Sequence, residues 1–218
     1  MTTVYLIRHS VRMKLDCIES CNTSQNDIVK REKIILSVEG EKRAQILSEE
    51  KELQNIDVVY TSNCVRTLQT AKYLMERQNL KVNIDERFDE RRMGKDNTIT
   101  HPDWFKKQYF DEDYKTEGGE SQREVKKRFE SAFLEVIKKH KDKRIAIFSH
   151  GYAITFFLLN YCKLLSIVDG KLKYEYNNKV IFEKKINAPE VFKLTLDGEE
   201  VKNIELIEFP LLPYNHGV

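Results

Sequence analysis

The sequence predicts an α/β protein, a three-layer α/β/α sandwich with a mostly parallel central sheet. Short apolar segments rich in β-branched residues alternate along the chain with longer segments of helical periodicity. Because a helix between two strands returns the chain to the same end of the sheet, this alternation favours parallel strands with helices on both faces. The 218 residues fit a single domain, residues 1–218, large enough to bury a core without disulfides or structural metal.

The first half of the chain alternates strand and helix. Thr3–Ile7 is apolar and β-branched or aromatic, which predicts a buried strand. Ser37–Leu53 predicts a helix with the serine at its start as N-cap. Ile56–Tyr60 and Val82–Ile84 predict two more strands, and the amphipathic segment Asn63–Arg77 predicts a helix between them.

The second half continues the alternation and ends in a hairpin. Ser121–Lys139 predicts a long amphipathic helix, and Arg144–Phe148 predicts the next strand. Tyr152–Tyr161 is almost wholly apolar, so we expect a buried helix there. Val191–Leu196 and Val201–Ile207 flank an Asp-Gly turn signal, which predicts a closing hairpin whose loop is lengthened by the two glutamates that follow.

Two segments lack a clear periodicity. The stretch from about 91 to 119 is polar, aromatic and irregular, and we interpret it as a flap inserted over a site. Residues 163–187 receive no assignment. The aromatic residues of the flap are equally compatible with a lid and with a small core of their own: Trp104, Phe105, Tyr109, Phe110 and Tyr114.

The charge balance and the absence of long apolar runs limit the possible partners. Lysine and arginine total 37 against 35 acidic residues, a formal net charge of +2. Such a balance disfavours a broad nucleic-acid surface, so any attraction for anions must be local. No apolar run reaches the roughly 18 residues that suggest a membrane span. The N-terminal residues lack the basic leader of a signal peptide, so we expect a cytoplasmic protein without a membrane partner.

The four cysteines stand at irregular distances, which favours reduced thiols over a disulfide framework. Cys17 and Cys21 are four residues apart and could share one face of a helix. A zinc site would need two further ligands, and none is paired with them nearby in the sequence. The sequence therefore predicts no metal.

Reactive side chains follow three of the predicted strands. The first strand ends in Arg8 and His9, the second is followed by Arg66, and the third runs into His150 and Gly151. Sites in open α/β sheets form outside the carboxyl ends of the strands, so these groups converge if the strands are neighbours. The helix that begins behind the glycine would add N–H groups suited to an anion. The pattern predicts a phosphate or carboxylate site.

The segments around these residues resemble the histidine phosphatase superfamily, which includes the cofactor-dependent phosphoglycerate mutases. They occur in the order typical of the family, and the ordered set is far more specific than any one block. In chain order the matching blocks are Leu6-Ile7-Arg8-His9-Ser10, Leu36-Ser37-Val38-Glu39-Gly40 followed by Ala44, Thr61-Ser62 with Arg66 and Gln69-Thr70-Ala71, Phe88-Asp89-Glu90, Gly119-Glu120-Ser121, and Phe148-Ser149-His150-Gly151.

The resemblance implies that His9 takes the phosphoryl group covalently. A neutral imidazole nitrogen approaches a phosphate dianion without charge repulsion and divides one difficult displacement into two easier ones. Arg8 and Arg66 are the expected clamps on the equatorial oxygens, because the planar guanidinium group matches phosphate geometry. No cofactor and no metal are implied, and the partner is a small phosphorylated substrate.

Five further residues receive roles from the same resemblance. His150 is expected to be cationic and to donate to the phosphate. Glu90 is the expected general acid and then the base for water, with Glu120 in reserve. Ser10 and Gly151 are expected to contact the substrate.

Ser10 departs from the family pattern, which usually has glycine there, and its hydroxyl could replace the close backbone approach with a hydrogen bond to phosphate. Leu15 replaces a frequent asparagine, and residues 11–35 look atypical for the family as a whole.

The leading hypothesis is a phosphatase, and two alternatives stay open. A phosphoglycerate-type mutase would use the same residues, although such mutases tend to have a longer insertion than the span from Glu90 to Gly119. A non-catalytic phospho-ligand sensor needs no nucleophile, so the presence of both histidines and both arginines disfavours it. No cysteine has an arginine six residues later, and no Gly-rich Lys-Ser/Thr loop is present, which excludes two other phosphate chemistries. The sequence leaves the substrate and the oligomeric state open.

Overall fold

The computed structural model describes residues 1–14, 31–94, 103–209 and 215. The predictions about Cys17, Cys21 and Leu15, and the part of the flap at 95–102, lie outside these residues. Within them the strands are β1 (Thr2–Arg8), β2 (Val58–Thr61), β3 (Val82–Ile84), β4 (Arg144–Ser149), β5 (Lys163–Val168), β6 (Lys171–Tyr176), β7 (Lys179–Lys184), β8 (Val191–Asp197) and β9 (Glu200–Ile207). The helices are α1 (Val38–Glu49), α2 (Val65–Gln78), α3 (Trp104–Phe110), α4 (Gln122–Lys139) and α5 (Gly151–Leu158), with short 3₁₀ turns at Lys51–Leu53 and Glu86–Phe88.

The central sheet has the strand order β3-β2-β4-β1-β8-β9. The first four strands in this order are parallel, β8 runs antiparallel to β1, and β9 pairs antiparallel with β8. This arrangement confirms the predicted α/β fold with a mostly parallel central sheet. It also places β1 in the interior of the sheet, with a hydrogen-bonded strand on each side.

Helices cover both faces of this sheet because its central strands are apolar on both sides. In β1, Val4 and Leu6 point into one hydrophobic cluster, whereas Tyr5 and Ile7 point into the other. Helices α1 and α2 supply residues to the second cluster, and α4 and α5 to the first. Each face buries several large side chains, and burial of each contributes roughly 1.5–3 kcal/mol of stability.

Serine side chains cap two of the helices, and the cap at Ser37 was predicted from the sequence. Ser37 accepts a hydrogen bond from the Gly40 N–H at the start of α1. Ser121 and Glu124 form a reciprocal capping box at the start of α4. Gly40 has a second role, because a β-carbon there would overlap the Val11 carbonyl oxygen. Helix α1 can therefore pack directly against the backbone just beyond His9.

The segment 163–187, which the sequence left unassigned, contains a three-stranded antiparallel sheet in the order β5-β6-β7. Its tight turns use Asp169-Gly170 and Asn177-Asn178, all four with positive φ. This second sheet joins the main core, since Tyr174 donates to the Thr155 carbonyl at 3.1 Å.

The closing hairpin differs from its prediction in one detail. Asp197 pairs with Glu200, so the loop contains only two residues rather than a lengthened turn. A bulge between Thr195 and Leu196 absorbs the register shift.

The described part of the flap forms a small aromatic core. Trp104 and Tyr109 of α3 are buried, and both contact the ring of Tyr152 in α5, whereas Phe110 is exposed. Among the described helices, none has the length and apolar character needed to cross a bilayer.

Candidate active site

The strand order brings the predicted reactive residues to one edge of the sheet. Strand β1 lies beside β4 in parallel, with Arg8 paired to Ser149 at the carboxyl ends. Strand β2 lies on the other side of β4, with Thr61 paired to Phe148. The residues that follow the three strands therefore meet, and the rings of His9 and His150 lie 5.1 Å apart between centroids.

His9 is held in one tautomer by the backbone. Its Nδ1 lies 2.7 Å from the Ser10 carbonyl oxygen, and because a carbonyl only accepts, Nδ1 donates and Nε2 keeps its lone pair. Burial, followed by the positive charges of Arg66 and Arg8, lowers the pKa of His9 well below its ordinary value. The hydrogen bond to the carbonyl opposes this shift and is outweighed. The imidazole is therefore neutral in the unliganded site.

Ser10 occupies the position where the family usually has glycine, and its side chain is fully buried. Its backbone N–H donates to Thr70 Oγ1 at 3.0 Å, and Thr70 in turn donates to the Arg66 carbonyl at 2.7 Å. These bonds tie the turn after β1 to the first turns of α2. The Ser10 hydroxyl has no hydrogen-bond partner among the described residues, which is costly for a buried polar group.

Arg66 and His150 are linked directly. Arg66 Nη2 donates to His150 Nδ1 at 3.0 Å, and Arg66 Nη1 donates to the Arg31 carbonyl at 2.8 Å. Because a guanidinium group only donates, His150 Nδ1 is the acceptor and Nε2 carries the hydrogen. That nitrogen lies 2.8 Å from the Ser62 hydroxyl oxygen, which accepts from it.

This arrangement corrects one expectation from the sequence. His150 was expected to be cationic, but burial and then the charge of Arg66 lower its pKa well below the ordinary value. In the unliganded site His150 is neutral, and one of its nitrogens is occupied by Arg66. The positive charge of this region belongs to the arginines.

Arg8 is oriented by the loop that follows β7. Its Nη1 donates to the carbonyl oxygens of Ile186 and Asn187, at 2.9 and 3.1 Å. Its backbone N–H donates to the Glu190 carbonyl at 2.8 Å. Gly151 lies close by, because a β-carbon at that position would come within 3.4 Å of Arg8 Nε.

Glu90 is half-buried and holds the start of α5. Its Oε1 accepts from the Arg91 and Ala153 N–H groups at 2.9 and 3.0 Å, and its Oε2 accepts from the Tyr152 N–H at 3.3 Å. The sequence assigned the first N–H groups of this helix to a bound anion, and the structure assigns two of them to Glu90. A carboxylate at a helix N-terminus is favoured by the helix dipole.

Glu120, the second candidate for the general acid, is hydrogen-bonded to two arginines. It accepts hydrogen bonds from Arg128 Nε at 2.9 Å and from the Arg92 N–H at 2.8 Å. Burial acts to raise the pKa of Glu120, but the hydrogen bond and charge of Arg128 outweigh it and lower the pKa. Glu120 therefore stays an ionised partner of arginine and is a poor proton donor.

A family model confirms the resemblance seen in the sequence. The model of the histidine phosphatase superfamily (branch 1) matches residues 4–168, which include both histidines, both arginines and Glu90. The chain belongs to the histidine phosphatase superfamily.

One curated relative is similar to part of the chain. Phosphoserine phosphatase 1 of Hydrogenobacter thermophilus is 30% identical over 141 residues, which are 61% of this chain and 65% of that protein. The chain thus spans a little under two thirds of the curated relative that it matches.

Solved structures share the fold over most of the chain. A mycobacterial glucosyl-3-phosphoglycerate phosphatase in complex with inorganic phosphate superposes with a TM-score of 0.65 and 17% identity, covering 95% of this chain and 96% of the other. A mutant phosphoserine phosphatase of Entamoeba histolytica in complex with phosphoserine gives a TM-score of 0.61 and 16% identity, covering 94% and 97%.

Several residues of this site were not singled out from the sequence. Ser62 was noted only as part of a matching block, yet its hydroxyl accepts from His150 Nε2 in the tautomer that Arg66 sets. Arg12 lies close enough to His9 for its charge to lower the pKa of that histidine. The only sequence feature that could have indicated a role for Arg12 in the site is its position three residues after His9. Outside these residues, the Cys64 sulfur and a carboxylate oxygen of Asp89 lie near a ring nitrogen of His150, and the three atoms are within 4.8 Å of one another.

Proposed function

We propose that the protein hydrolyses a phosphate monoester through a phosphohistidine intermediate on His9. The observation that best supports this proposal is the 2.7 Å contact between His9 Nδ1 and the Ser10 carbonyl. That contact leaves Nε2 with a free lone pair, and the lowered pKa keeps the ring neutral near pH 7. A neutral, oriented imidazole beside two guanidinium groups is the arrangement that nucleophilic attack on a phosphate requires.

In the first step, the lone pair of His9 Nε2 attacks phosphorus and the bond from phosphorus to the ester oxygen breaks. Arg8 and Arg66 donate to the equatorial oxygens, whose negative charge shifts during the transfer. The departing alkoxide takes a proton from the carboxyl group of Glu90. The substrate phosphate must compete with His150 for Arg66 Nη2, or use the Arg66 Nε–H, which has no partner among the described residues.

In the second step, water replaces the alcohol. The Glu90 carboxylate takes a proton from water while the oxygen attacks phosphorus, and the phosphorus–nitrogen bond to His9 breaks. Inorganic phosphate leaves, and both residues return to their starting states. Hydrolysis rather than a mutase reaction is supported by the three relatives described above, each of which is named as a phosphatase.

The proposal is tested by trapping the intermediate. Brief reaction with a ³²P-labelled substrate, followed by quenching in alkali, should leave label on the peptide that contains His9. The label should survive base and be lost in acid, as a phosphoramidate is. His9→Gln should give no label and no turnover. Label on a serine, aspartate or cysteine peptide would contradict the mechanism.

We further propose that the substrate has a second anionic group, a carboxylate, which Arg12 binds. The side chain of Arg12 is exposed and makes no hydrogen bond or ion pair within the described part of the chain. Although Arg12 is exposed as a residue, partial burial of its guanidinium group lowers its pKa. The charges of Arg66 and Arg31 act in the same direction, and the charge of Glu90 opposes them. Arginines grouped in this way attract anions, and the phosphate engages only Arg8 and Arg66. Two of the relatives bear names whose substrates, phosphoserine and glucosyl-3-phosphoglycerate, contain a carboxylate.

The substrate proposal is tested with matched compounds. Phosphoserine should be compared with phosphoethanolamine, and 3-phosphoglycerate with glycerol 3-phosphate, because each pair differs by one carboxylate. Arg12→Gln should lower kcat/KM by at least about tenfold for the carboxylated member only, the cost of one charge-assisted bond. Arg77→Gln is the control, since Arg77 is exposed and pairs with Glu49. An equal loss for both members of a pair would show that Arg12 does not bind the carboxylate.

A further inference from the structure

Behind His150 lies a group of three side chains that the proposed reaction does not use together. The Cys64 sulfur, a carboxylate oxygen of Asp89 and a ring nitrogen of His150 all lie within 4.8 Å of one another. Cys64 and His150 are buried, and Asp89 is half-buried. Cys64 is the N-cap of α2, two residues before Arg66, and so it has a fixed position next to the site.

The positions of these three residues are set by the backbone. Asp89 Oδ1 accepts the Asn63 N–H at 2.7 Å, which holds the carboxylate against the start of α2. The Ser62 hydroxyl lies between His150 Nε2, at 2.8 Å, and the Cys64 N–H, at 3.3 Å. The cluster is therefore built from the end of a strand, the end of a 3₁₀ turn and the start of a helix.

We propose that Cys64, Asp89 and His150 form an inhibitory binding site for Zn²⁺. Thiolate, imidazole and carboxylate are the three ligand types that zinc takes in proteins, whereas Mg²⁺ and Ca²⁺ prefer oxygen alone. Zinc–ligand bonds of about 2.0–2.3 Å in a tetrahedron separate the ligand atoms by about 3.3–3.6 Å. The widest separation, at most 4.8 Å, must therefore shrink by up to roughly 1 Å when the ion binds. Water completes the coordination.

Zinc binding and the Arg66–His150 hydrogen bond exclude each other. In the unliganded site His150 has its hydrogen on Nε2 and accepts from Arg66 at Nδ1. Coordination through Nε2 forces the hydrogen onto Nδ1, which can then no longer accept from Arg66. Coordination through Nδ1 displaces Arg66 directly. In either case Arg66 loses one of the two hydrogen bonds that fix its guanidinium plane, and the phosphate clamp is weakened.

The protonation states of the three ligands determine how many protons zinc binding releases. The Cys64 thiol loses its proton on binding, because the thiolate is the form that coordinates zinc, and the proton goes to solvent. Asp89 binds as the carboxylate and His150 as the neutral ring. No oxidant or reductant takes part.

Inhibition can be measured on the full chain after removal of metal with a chelator. Low-micromolar ZnCl₂ should reduce hydrolysis of p-nitrophenyl phosphate at least tenfold, EDTA should restore it, and MgCl₂ should have no effect. Cys64→Ala should keep the basal rate and need at least about tenfold more zinc for half-inhibition, because it lacks a ligand. Cys162→Ala removes a buried thiol from the hydrophobic core and should behave as wild type. Equal sensitivity of wild type and Cys64→Ala would overturn the proposal.

The inhibition assay rests on the proposed reaction. A spectroscopic test of zinc-site binding does not. Co²⁺ in place of zinc should give the ultraviolet thiolate-to-cobalt band in wild type and in Cys17→Ser/Cys21→Ser, and no such band in Cys64→Ala. Asp89→Asn should weaken cobalt binding. This variant replaces Cys64→Ala as the test if Cys64→Ala fails to fold. A band that persists without Cys64, or that disappears only with Cys17 and Cys21, would place the thiol ligand elsewhere and overturn the site.

Discussion

Arg66 Nη2 donates to His150 Nδ1 at 3.0 Å, so the second histidine of the site is an acceptor toward the arginine before any substrate arrives. The same arginine is anchored through Nη1 on the Arg31 carbonyl. The guanidinium plane is thus fixed by two hydrogen bonds on different parts of the chain. Orientation of this kind lowers the entropy cost of binding a tetrahedral anion.

Arg66→Lys tests the importance of that fixed plane. Lysine keeps the charge but has no planar fork, so it cannot contact His150 and two phosphate oxygens at once. We expect kcat/KM to fall at least about tenfold for every substrate. Arg77→Lys, on the exposed end of the same helix, should change nothing. Near-normal kinetics for Arg66→Lys would mean that Arg66 does not bind the phosphate.

Acid should destabilise the unliganded protein through its buried histidines. The folded-state pKa of His9 lies well below 6.5, so between that value and the ordinary pKa the unfolded chain binds more protons than the folded one. The penalty is absent well above pH 6.5 and grows as the pH falls. One such group costs at most about 1.4 kcal/mol at pH 5.5 relative to pH 7.5.

Denaturant unfolding at these two pH values measures the effect. His9→Gln should lose less stability on acidification than wild type does. His150 has a lowered pKa for the same reason, so His150→Gln should behave alike. Identical pH slopes in wild type and both variants would contradict the assignment of neutral rings.

Ser10→Ala should separate stability from binding. The Ser10 hydroxyl is buried without a partner among the described residues, so its removal should raise the free energy of unfolding by about 1 kcal/mol. If the hydroxyl donates to the substrate phosphate, the same change should weaken inhibition by inorganic phosphate several-fold. Thermal unfolding and phosphate titration give the two results. A stabilised variant with unchanged phosphate affinity would remove Ser10 from the substrate site.

Glu90→Gln tests the proposed acid. An alkoxide leaves poorly without a proton, whereas p-nitrophenolate leaves unaided, so in single turnover the variant should form phosphohistidine slowly only from alkyl phosphates. Glutamine keeps one oxygen to accept from the α5 N–H groups, so the helix start should be retained. Equal rates of His9 phosphorylation in variant and wild type, for both substrates, would show that Glu90 is not the acid.

Chelation tests the proposed reaction from another direction. Since the steps use only side chains of this chain and water, activity should survive exhaustive treatment with EDTA. The measurement is the rate of phosphate release before and after treatment, with metal content determined alongside. Loss of activity that Mg²⁺ restores would contradict a mechanism based on His9 alone.

The helices and strands with clear hydrophobic periodicity were predictable from the sequence. Val82–Ile84 is a strand with the predicted bounds, and the helix predicted from Asn63 begins within two residues of that position. The second sheet was missed because its strands, β5 to β7, are short, begin with lysine and are half-exposed, so their apolar residues show no clear alternation. The turn signals were present nonetheless: Asp169-Gly170 and Asn177-Asn178 are the residues that favour positive φ in two-residue hairpin loops.

The candidate site was partly predictable for a similar reason. The ends of neighbouring parallel strands share an edge, so His9 and His150 could be brought together from the sequence alone. Their protonation could not, because it depends on burial and on the charges of Arg66 and Arg8. The hydrogen-bond acceptor of the first α5 N–H groups also depends on tertiary structure, since Glu90 lies about sixty residues earlier in the chain.

Strand β1 carries His9 from the interior of the central sheet, with β4 on one side and β8 on the other. Such a strand exchanges its amide hydrogens only when the whole domain unfolds, whereas exposed positions such as Arg12 lie outside that cooperative unit. Replacing Arg12 costs the fold little, and disturbing the turn at His9 strains its most stable part. If Arg12 binds the substrate as proposed, substrate recognition can therefore change by substitution there without disturbing the strand that positions His9.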